Sequence, residues 1–172
     1  MTKKKFYRKI GGFQNKAKVI GISLLLLLAV FSLHSCDQNR YFEQNMKLDH
    51  AKWAARDQKT FSLDISDTTS LFNFYLNIRN TNDYPFANIY VFINTKFPDA
   101  EVARDTIELQ LADIHGKWLG TGSGKYRYNN FILRKGMRFV QTGTYEFSIE
   151  QGMRKDTLSG ISDVGIRLEY YP

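Results

Sequence analysis

The glycine-rich segment at residues 120–125 has the composition of a loop that could hold a phosphate group. Leu119, however, stands where the first glycine of a phosphate loop belongs, and Tyr126 replaces the Ser or Thr that would bind magnesium. The dinucleotide-binding pattern also fails, because Lys125 occupies its third glycine position. The segment is therefore predicted to be a hairpin or β-bulge loop.

Metal binding would require histidines and carboxylates at ligand spacing. Beyond residue 35 the histidines are His50 and His115, and neither has a second His, Cys or carboxylate at that spacing. Asp99, Glu101 and Asp105 are close in sequence but lack the spacing of a twelve-residue calcium loop, which favours a solvated loop. We expect no metal site and no cofactor.

Serine-based catalysis would require a nucleophile on a tight turn, close to a base. Ser123 is preceded two residues earlier by Thr121 and followed at once by Gly124, which is not the nucleophile-elbow pattern. No other segment pairs a nucleophile with a base. The sequence therefore favours a noncatalytic protein, and a hydrolase is the least favoured interpretation.

The N-terminal segment has the order of a secretory signal: basic residues up to Lys18, an uncharged apolar run at residues 19–33, and the small residue Ser35. Fifteen helical residues at ~1.5 Å each span about 22 Å, which is less than the roughly 30 Å hydrocarbon core of a bilayer. An uncleaved transmembrane helix is therefore the weaker interpretation of this segment.

Cys36 is the only cysteine, and it stands where signal cleavage would fall. The stretch Leu33-x-Ser35-Cys36 resembles the bacterial lipobox, in which the cysteine is acylated and becomes the first residue of the mature protein, although His34 replaces the usual small residue. A chance cysteine near a signal is the alternative. We predict a signal peptide at 1–35 and attachment to a membrane through lipid on Cys36. No thiol is left for a disulfide framework or a cysteine-based zinc site.

The formal charge of +7 belongs to this leader. Residues 1–35 hold seven of the 24 basic residues and none of the 17 acidic ones, so the other 137 residues carry 17 of each sign. Charge is therefore no evidence for a nucleic-acid partner, and we expect little electrostatic steering toward any partner. The 43% hydrophobic content is that of a globular domain.

Residues 36–60 are polar and weakly patterned, and we predict a tether there with one short helical turn. Beyond residue 60, apolar and polar residues alternate with period two, and no helical stripe persists for ten residues. The clear strands are predicted at 61–65, 72–79, 89–96, 107–111, 145–150 and 164–170, with weaker ones near Trp118 and at 131–133. Turn residues separate them, Gly136 and Gly143 among them.

Alternation of this kind buries one side of each strand and is typical of antiparallel sheets. The predicted fold is all-β: an antiparallel β-sandwich at 61–172, of jelly-roll or immunoglobulin-like type. No second domain boundary and no internal repeat is visible.

Several aromatic residues are predicted to lie outside the core. Such rings could stack on sugars or anchor a protein partner, unless loops of the sandwich cover them. Three occupy the outward positions of predicted strands, and others occupy predicted loops: Tyr75, Tyr90 and Phe92, then Tyr84, Phe86, Trp118, Tyr126 and Tyr128. As candidate contacts with a partner we select Arg79, Tyr84, Phe86 and Trp118, which combine loop positions with the residue types that anchor interfaces.

Several blocks between residues 36 and 170 resemble the gliding-motility lipoprotein GldH family of Bacteroidetes. The most specific are the block around Trp118 and the closing Gly-Ile to Asp-Val-Gly block at 160–165. The others are Cys36-Asp37 after the leader, Leu76 to Asn80 with Asn82 to Tyr84, Asn94 to Pro98 with Asp105-Thr106, Gly143 to Tyr145, and Ile149 to Gln151.

The resemblance implies a lipid-anchored component needed for surface gliding, in an envelope that also houses the associated secretion machinery. It implies no catalytic residue, so lipidated Cys36 is the one site that it carries over. We expect a noncatalytic protein-interaction module that binds envelope proteins, with the outer membrane and a periplasm-facing position favoured. The alternative is a surface lipoprotein that binds glycans, which rests on analogy with other jelly rolls.

Overall fold

The computed structural model describes residues 39–172. Predicted signal peptide 1–35 and Cys36 lie outside this range. The described residues form ten strands, in chain order: β1 (Arg40–Lys47), β2 (Lys52–Ala54), β3 (Lys59–Ile65), β4 (Phe72–Thr81), β5 (Asn88–Lys96), β6 (Val102–Gln110), β7 (Tyr126–Met137), β8 (Gly143–Gln151), β9 (Thr157–Ser159) and β10 (Ile161–Tyr170). A single 3-10 turn (Asp49–Ala51) joins β1 to β2.

The strands form two four-stranded antiparallel sheets and a small third one. The first sheet has the order β1-β10-β4-β7, the second has the order β3-β8-β5-β6, and β2 pairs with β9. In the two large sheets, β5 and β6 are the one pair of neighbours that also follow each other in sequence, since successive strands otherwise change sheet. This connectivity is that of a jelly roll, which decides between the two predicted sandwich types.

The core lies between the two large sheets, as the alternation predicted. Every second residue of β4 from Phe72 to Ile78 is buried, and the same holds for β8 from Tyr145 to Ile149. Burial of these apolar side chains on both inner faces is the main stabilising contribution, at about 25 cal/mol per Å² removed from water.

The prediction that residues 36–60 form a tether is wrong from residue 40 onward. Strand β1 pairs with β10 in a register that places Glu43 opposite Arg167, and Trp53 is fully buried. Strand β1 lies at a sheet edge, where Tyr41, Phe42 and Met46 pack against the core but are only partly buried, and its register with β10 shifts between Arg40 and Phe42. Its sequence therefore shows no clear alternation. In place of the expected helical turn, this region holds only the short 3-10 segment Asp49–Ala51, in which His50 and Ala51 have φ of 53° and 52° and are therefore not in a right-handed helical conformation.

Three other predictions need correction. Strand β6 begins at Val102, which places Asp105 within a strand, and its exposed edge position explains the missing alternation. Strand β7 runs for 12 residues from Tyr126, so Tyr126 and Tyr128 are strand residues and Gly136 lies inside the strand. Trp118 forms only an isolated bridge with Ala112.

The chain enters the described domain at one end of the sandwich. In the first sheet, Arg40 lies opposite Glu169, while Lys47 at the other end of β1 lies opposite Asp163. Asp163 is in turn level with Arg79 of β4. We call the two ends the entry end, where Arg40 lies, and the distal end, where Arg79 lies. No helix of residues 39–172 is long and apolar enough to cross a membrane.

Candidate functional site

A polar groove of about 270 Å³ lies on the outer face of the first sheet, and Arg79 is part of its wall. We call it the Arg79 groove. Strands β1, β4, β7 and β10 all contribute to it. Successive side chains of a strand point to opposite faces of the sheet, and in these strands the polar side chains lie mainly on the outer face. Its lining consists of Glu43, Asn45, Asn77, Ile78, Arg79, Thr121, Tyr128, Asn129, Asn130 and Asp163.

Arg79 is fixed from several sides. Its Nε lies 2.7 Å from Asp163 Oδ2 and 3.0 Å from Ser162 Oγ, and Nη1 lies 3.4 Å from the Tyr128 hydroxyl oxygen. Its guanidinium carbon lies 4.8 Å from the ring centre of Tyr126 and 5.3 Å from that of Tyr128. Such contacts leave the guanidinium one orientation, so Arg79 presents a fixed positive charge to the groove.

Asp163 supplies the opposite charge at the floor of the groove. Its side chain is 12% exposed and that of Arg79 is 26% exposed. The Arg79 Nε–H donates to Ser162 Oγ, so Asp163 Oδ2 is held by the ion pair and has no directed hydrogen bond. This carboxylate oxygen is shielded from water, so its charge depends on the Arg79 guanidinium as its counterion.

A row of asparagines crosses the same face from β7 to β1. Asn130 Nδ2 donates to Asn77 Oδ1 at 2.9 Å, and Asn77 Nδ2 donates to Asn45 Oδ1 at 3.1 Å. Gly165 of β10 lies beneath this row, and a Cβ there would overlap Asn45 Oδ1 and the carbonyl oxygen of Gln44. Glycine at 165 therefore lets Asn45 lie flat over β10 and extend the row.

The four candidate contact residues do not share one surface. Arg79 belongs to the groove, whereas Phe86 lines a separate depression with Tyr90 and Met153. Trp118 is half-buried against the core. Lipidation of Cys36 stays a prediction, since that residue lies outside the described range.

Tyr84 was selected as an exposed contact, and this is wrong. Its ring is 3% exposed, its hydroxyl donates to the carbonyl oxygen of Asn88 at 3.0 Å, and burial raises its pKa. The turn that carries Tyr84 folds back against Gly160, where a Cβ would overlap the Tyr84 backbone. Tyr84 is therefore a core residue of the distal end.

Sequence reasoning missed most of the groove. Asp163 and Asn130 were not selected, and Tyr128 was assigned to a loop. The signal that could have found the groove is the outward row of β4, where Asn73, Tyr75, Asn77 and Arg79 alternate with buried residues. Two of these four outward residues are asparagines, a residue type that is depleted in strands.

The residues weighed as possible metal ligands make ordinary turn and ion-pair contacts in the structure. Asp113 Oδ1 accepts hydrogen bonds from the backbone N–H groups of His115 and Lys117, both at 2.9 Å, so this turn is self-contained. Asp105 lies 4.0 Å from Arg134. Within residues 39–172, no group of three or more metal-ligating side chains is gathered in one place.

Comparison with known proteins places the chain in a family. The model of the family described as GldH lipoprotein matches residues 40–168. Two curated relatives are each 32% identical over 152 residues, or 84% of this chain: a gliding motility lipoprotein GldH homolog of Christiangramia forsetii, 93% of which is covered, and gliding motility lipoprotein GldH of Flavobacterium johnsoniae, 94% of which is covered.

Among solved structures, an infectious bursal disease virus protein matches 78% of this chain and 33% of its own at 16% identity, with a TM-score of 0.33. A family 16 carbohydrate-binding module matches 74% of this chain and 86% of its own at 10% identity, with a TM-score of 0.28. Neither match bears on function. The family match and the two relatives do, and the chain belongs to the GldH family of gliding-motility lipoproteins.

Proposed function

We propose that this protein is a lipid-anchored, noncatalytic component of the gliding apparatus that binds an envelope protein through the Arg79 groove. Lipid on Cys36 attaches it to the outer membrane, with the domain facing the periplasm. Its partners are envelope proteins of the gliding or associated secretion machinery. Family membership supports the process, and the lipobox-like stretch before Cys36 supports the anchor.

The separation between the entry end and the groove carries this proposal. Only three residues separate Cys36 from Arg40, the first residue of β1. Lys47, which is level with Asp163, lies seven residue steps along β1 from Arg40, or roughly 23 Å at the usual rise. A domain attached at its entry end holds the Arg79 groove away from the bilayer, where a protein can reach it.

The groove has the residue types of an interface centre. Arginine and tyrosine are enriched among the residues that dominate binding energy, and here Arg79 is already held in place by its neighbours. Tyr128 is 52% exposed, so its ring offers apolar area beside the ion pair. Because Arg79 and Asp163 balance each other, we expect binding to depend weakly on salt.

The test is copurification from cross-linked envelopes, with Tyr128→Ala compared with Tyr171→Ala. Both tyrosines are exposed, but Tyr171 follows β10 at the entry end. We expect envelope proteins to be recovered with the parent and with Tyr171→Ala, and to be lost with Tyr128→Ala. Equal recovery with both variants would exclude the groove as the contact surface.

Cys36→Ala tests the anchor in the same experiment. We expect this variant to leave the membrane fraction and to lose the partners. If it stays equally membrane-bound and equally processed, the lipidation proposal is wrong.

Glycan binding is the second candidate, and the asparagine row favours it because side-chain amides donate to and accept from sugar hydroxyls. Stacking on a sugar would require two or three coplanar rings on one face, whereas the Tyr126 and Tyr128 rings both pack against the Arg79 guanidinium. Retention of glycan with no protein partner in the copurification would favour this alternative.

A further inference from the structure

We infer that the apolar cleft between β6 and β7 binds the aliphatic chain of an anionic single-chain amphiphile, such as a long-chain fatty acid. The cleft has a volume of about 380 Å³ and lies where the two large sheets part. Strand β6 is the last strand of one sheet and β7 of the other, so no described strand closes this side. This site is separate from the Arg79 groove and independent of any protein partner.

Strand β7 is irregular where it borders the cleft. The register between β4 and β7 shifts twice between Phe72 and Tyr75, and Gly136 of β7 has φ of +59°, a left-handed conformation that favours glycine. Irregularities of this kind bend a strand and strengthen its twist. At the opposite side of the sandwich, the Tyr41 hydroxyl reaches the carbonyl oxygen of Asp64 in β3, a contact between the two sheets.

The interior of the cleft suits a hydrocarbon chain. Its floor is buried and is formed by Phe74, Ile93, Tyr145 and Phe147. Its sides carry the half-buried apolar residues Phe97, Ile107, Leu133 and Met137, and the hydroxyl-bearing Thr95 and Thr106 also line the cleft. An apolar cavity of roughly 150 Å³ is enough to bind benzene. A cleft of more than twice that volume has room for a chain of many carbons.

The mouth of the cleft is charged, and positive groups predominate. Arg134 and Arg138 line it together with a single carboxylate, Asp105. Arg134 lies 4.0 Å from Asp105, and both side chains are more than half exposed, so this ion pair is weak and a ligand carboxylate can compete for the guanidinium. An apolar interior with a basic rim therefore selects a chain with an anionic head over a neutral hydrocarbon.

The test is calorimetric titration with straight-chain alkanoates of 8 to 16 carbons, below their micelle concentrations. The protein is the chain from residue 36 with Cys36→Ser, which retains all ten strands and every described core residue. We expect Kd to fall about two- to fourfold per added methylene until the cleft is full, and then to level off. Affinity that does not change with chain length would overturn the inference.

Two neighbouring residues of β6 provide a matched pair of variants. Ala103 lines the cleft, while Val102 does not line it and is 65% exposed. We expect Ala103→Trp to fill the cleft and weaken alkanoate binding at least tenfold, and Val102→Trp to bind like the parent. Similar affinities of the two variants would place the ligand elsewhere.

Charge reversal at β7 tests the head group. Arg134 lines the mouth and the adjacent Lys135 does not. We expect Arg134→Glu to weaken binding of an alkanoate about tenfold while leaving a 1-alkanol of equal length unaffected, and Lys135→Glu to change neither. Equal loss for alkanoate and alkanol, or no loss for either, would show that the rim does not select anions.

Discussion

Arg79 of β4 and Asp163 of β10 form an ion pair of 2.7 Å on the outer face of the first sheet, at the end of the sandwich away from Arg40. The pair joins two central strands and also forms the floor of the Arg79 groove. Both side chains are largely withdrawn from water, so neither charge can lose its partner without cost. The same two residues thus serve the fold and the surface on which a partner is proposed to bind.

Removal of the Arg79 charge should therefore destabilise the protein. We expect Arg79→Met to lower the free energy of unfolding by about 1–3 kcal/mol, because Asp163 is left as a nearly buried carboxylate without a counterion. The double variant Arg79→Met with Asp163→Asn should recover part of this loss. Urea denaturation measures the free energy of unfolding of both variants. If Arg79→Met is as stable as the parent, the ion pair has no structural role.

Gly165 should tolerate no side chain. A Cβ at this position would overlap Asn45 Oδ1 and the Gln44 carbonyl oxygen, so Gly165→Ala must push β1 away from β10. We expect a loss of about 1–3 kcal/mol, as for overpacking in a core, together with faster hydrogen exchange of the β1 amides.

Gly116→Ala is the control for this substitution. Gly116 has a φ of +79° and nothing within 4 Å of the added methyl group, so it reports only the backbone cost of about 1 kcal/mol. Unchanged β1 exchange in Gly165→Ala would contradict the proposed displacement of the strand.

Strands with one buried face could be predicted because burial imposes period two on their sequence. Strands β3, β4, β5, β8 and β10 were found on that basis. Strands at the sheet edges, whose side chains are exposed or only partly buried, leave no such pattern, which is why β1 and the first half of β6 were missed. The ends of the sheets are therefore the part of this fold that side-chain patterning specifies least.

The prediction of contact residues failed for a different reason. Arg79 was selected for its residue type and does lie in a groove, whereas Tyr84 was selected in the same way and is buried. Whether a turn residue points outward depends on what the turn packs against, here Gly160, which is 76 residues away in sequence. Asp163 could not be paired with Arg79 until the strand order β10-β4 was known.

Trp53 shows that the domain begins well before the region of clear alternation. Its ring is fully buried and its Nε1–H donates to the carbonyl oxygen of Asp57 at 2.8 Å. We expect Trp53→Ala to lower the free energy of unfolding by about 3–5 kcal/mol. Trp118→Ala is the matched control, because the Trp118 ring is half-buried, and it should lower the free energy of unfolding by less. Equal losses by urea denaturation would contradict the difference in burial.

The turn between β3 and β4 should make stability depend on pH. Asp67 Oδ1 accepts hydrogen bonds from the Thr69 backbone N–H at 2.8 Å, the Thr69 hydroxyl at 2.8 Å and the Ser70 backbone N–H at 3.0 Å. Hydrogen bonds to the charged form, led by that of the Ser70 side chain, hold the pKa of Asp67 well below its usual range.

A carboxyl whose pKa is lower in the folded state stabilises that state above its unfolded pKa, about 3.9, and this contribution is lost as pH falls through the folded pKa. We expect Asp67→Ala to lower Tm at pH 5–7, and the difference from the parent to shrink steadily below pH 4. Asp67→Asn keeps an acceptor oxygen without the charge, so its Tm should lie between the two at pH 7. A difference in Tm that is constant from pH 7 to pH 2 would show that the Asp67 charge does not stabilise the turn.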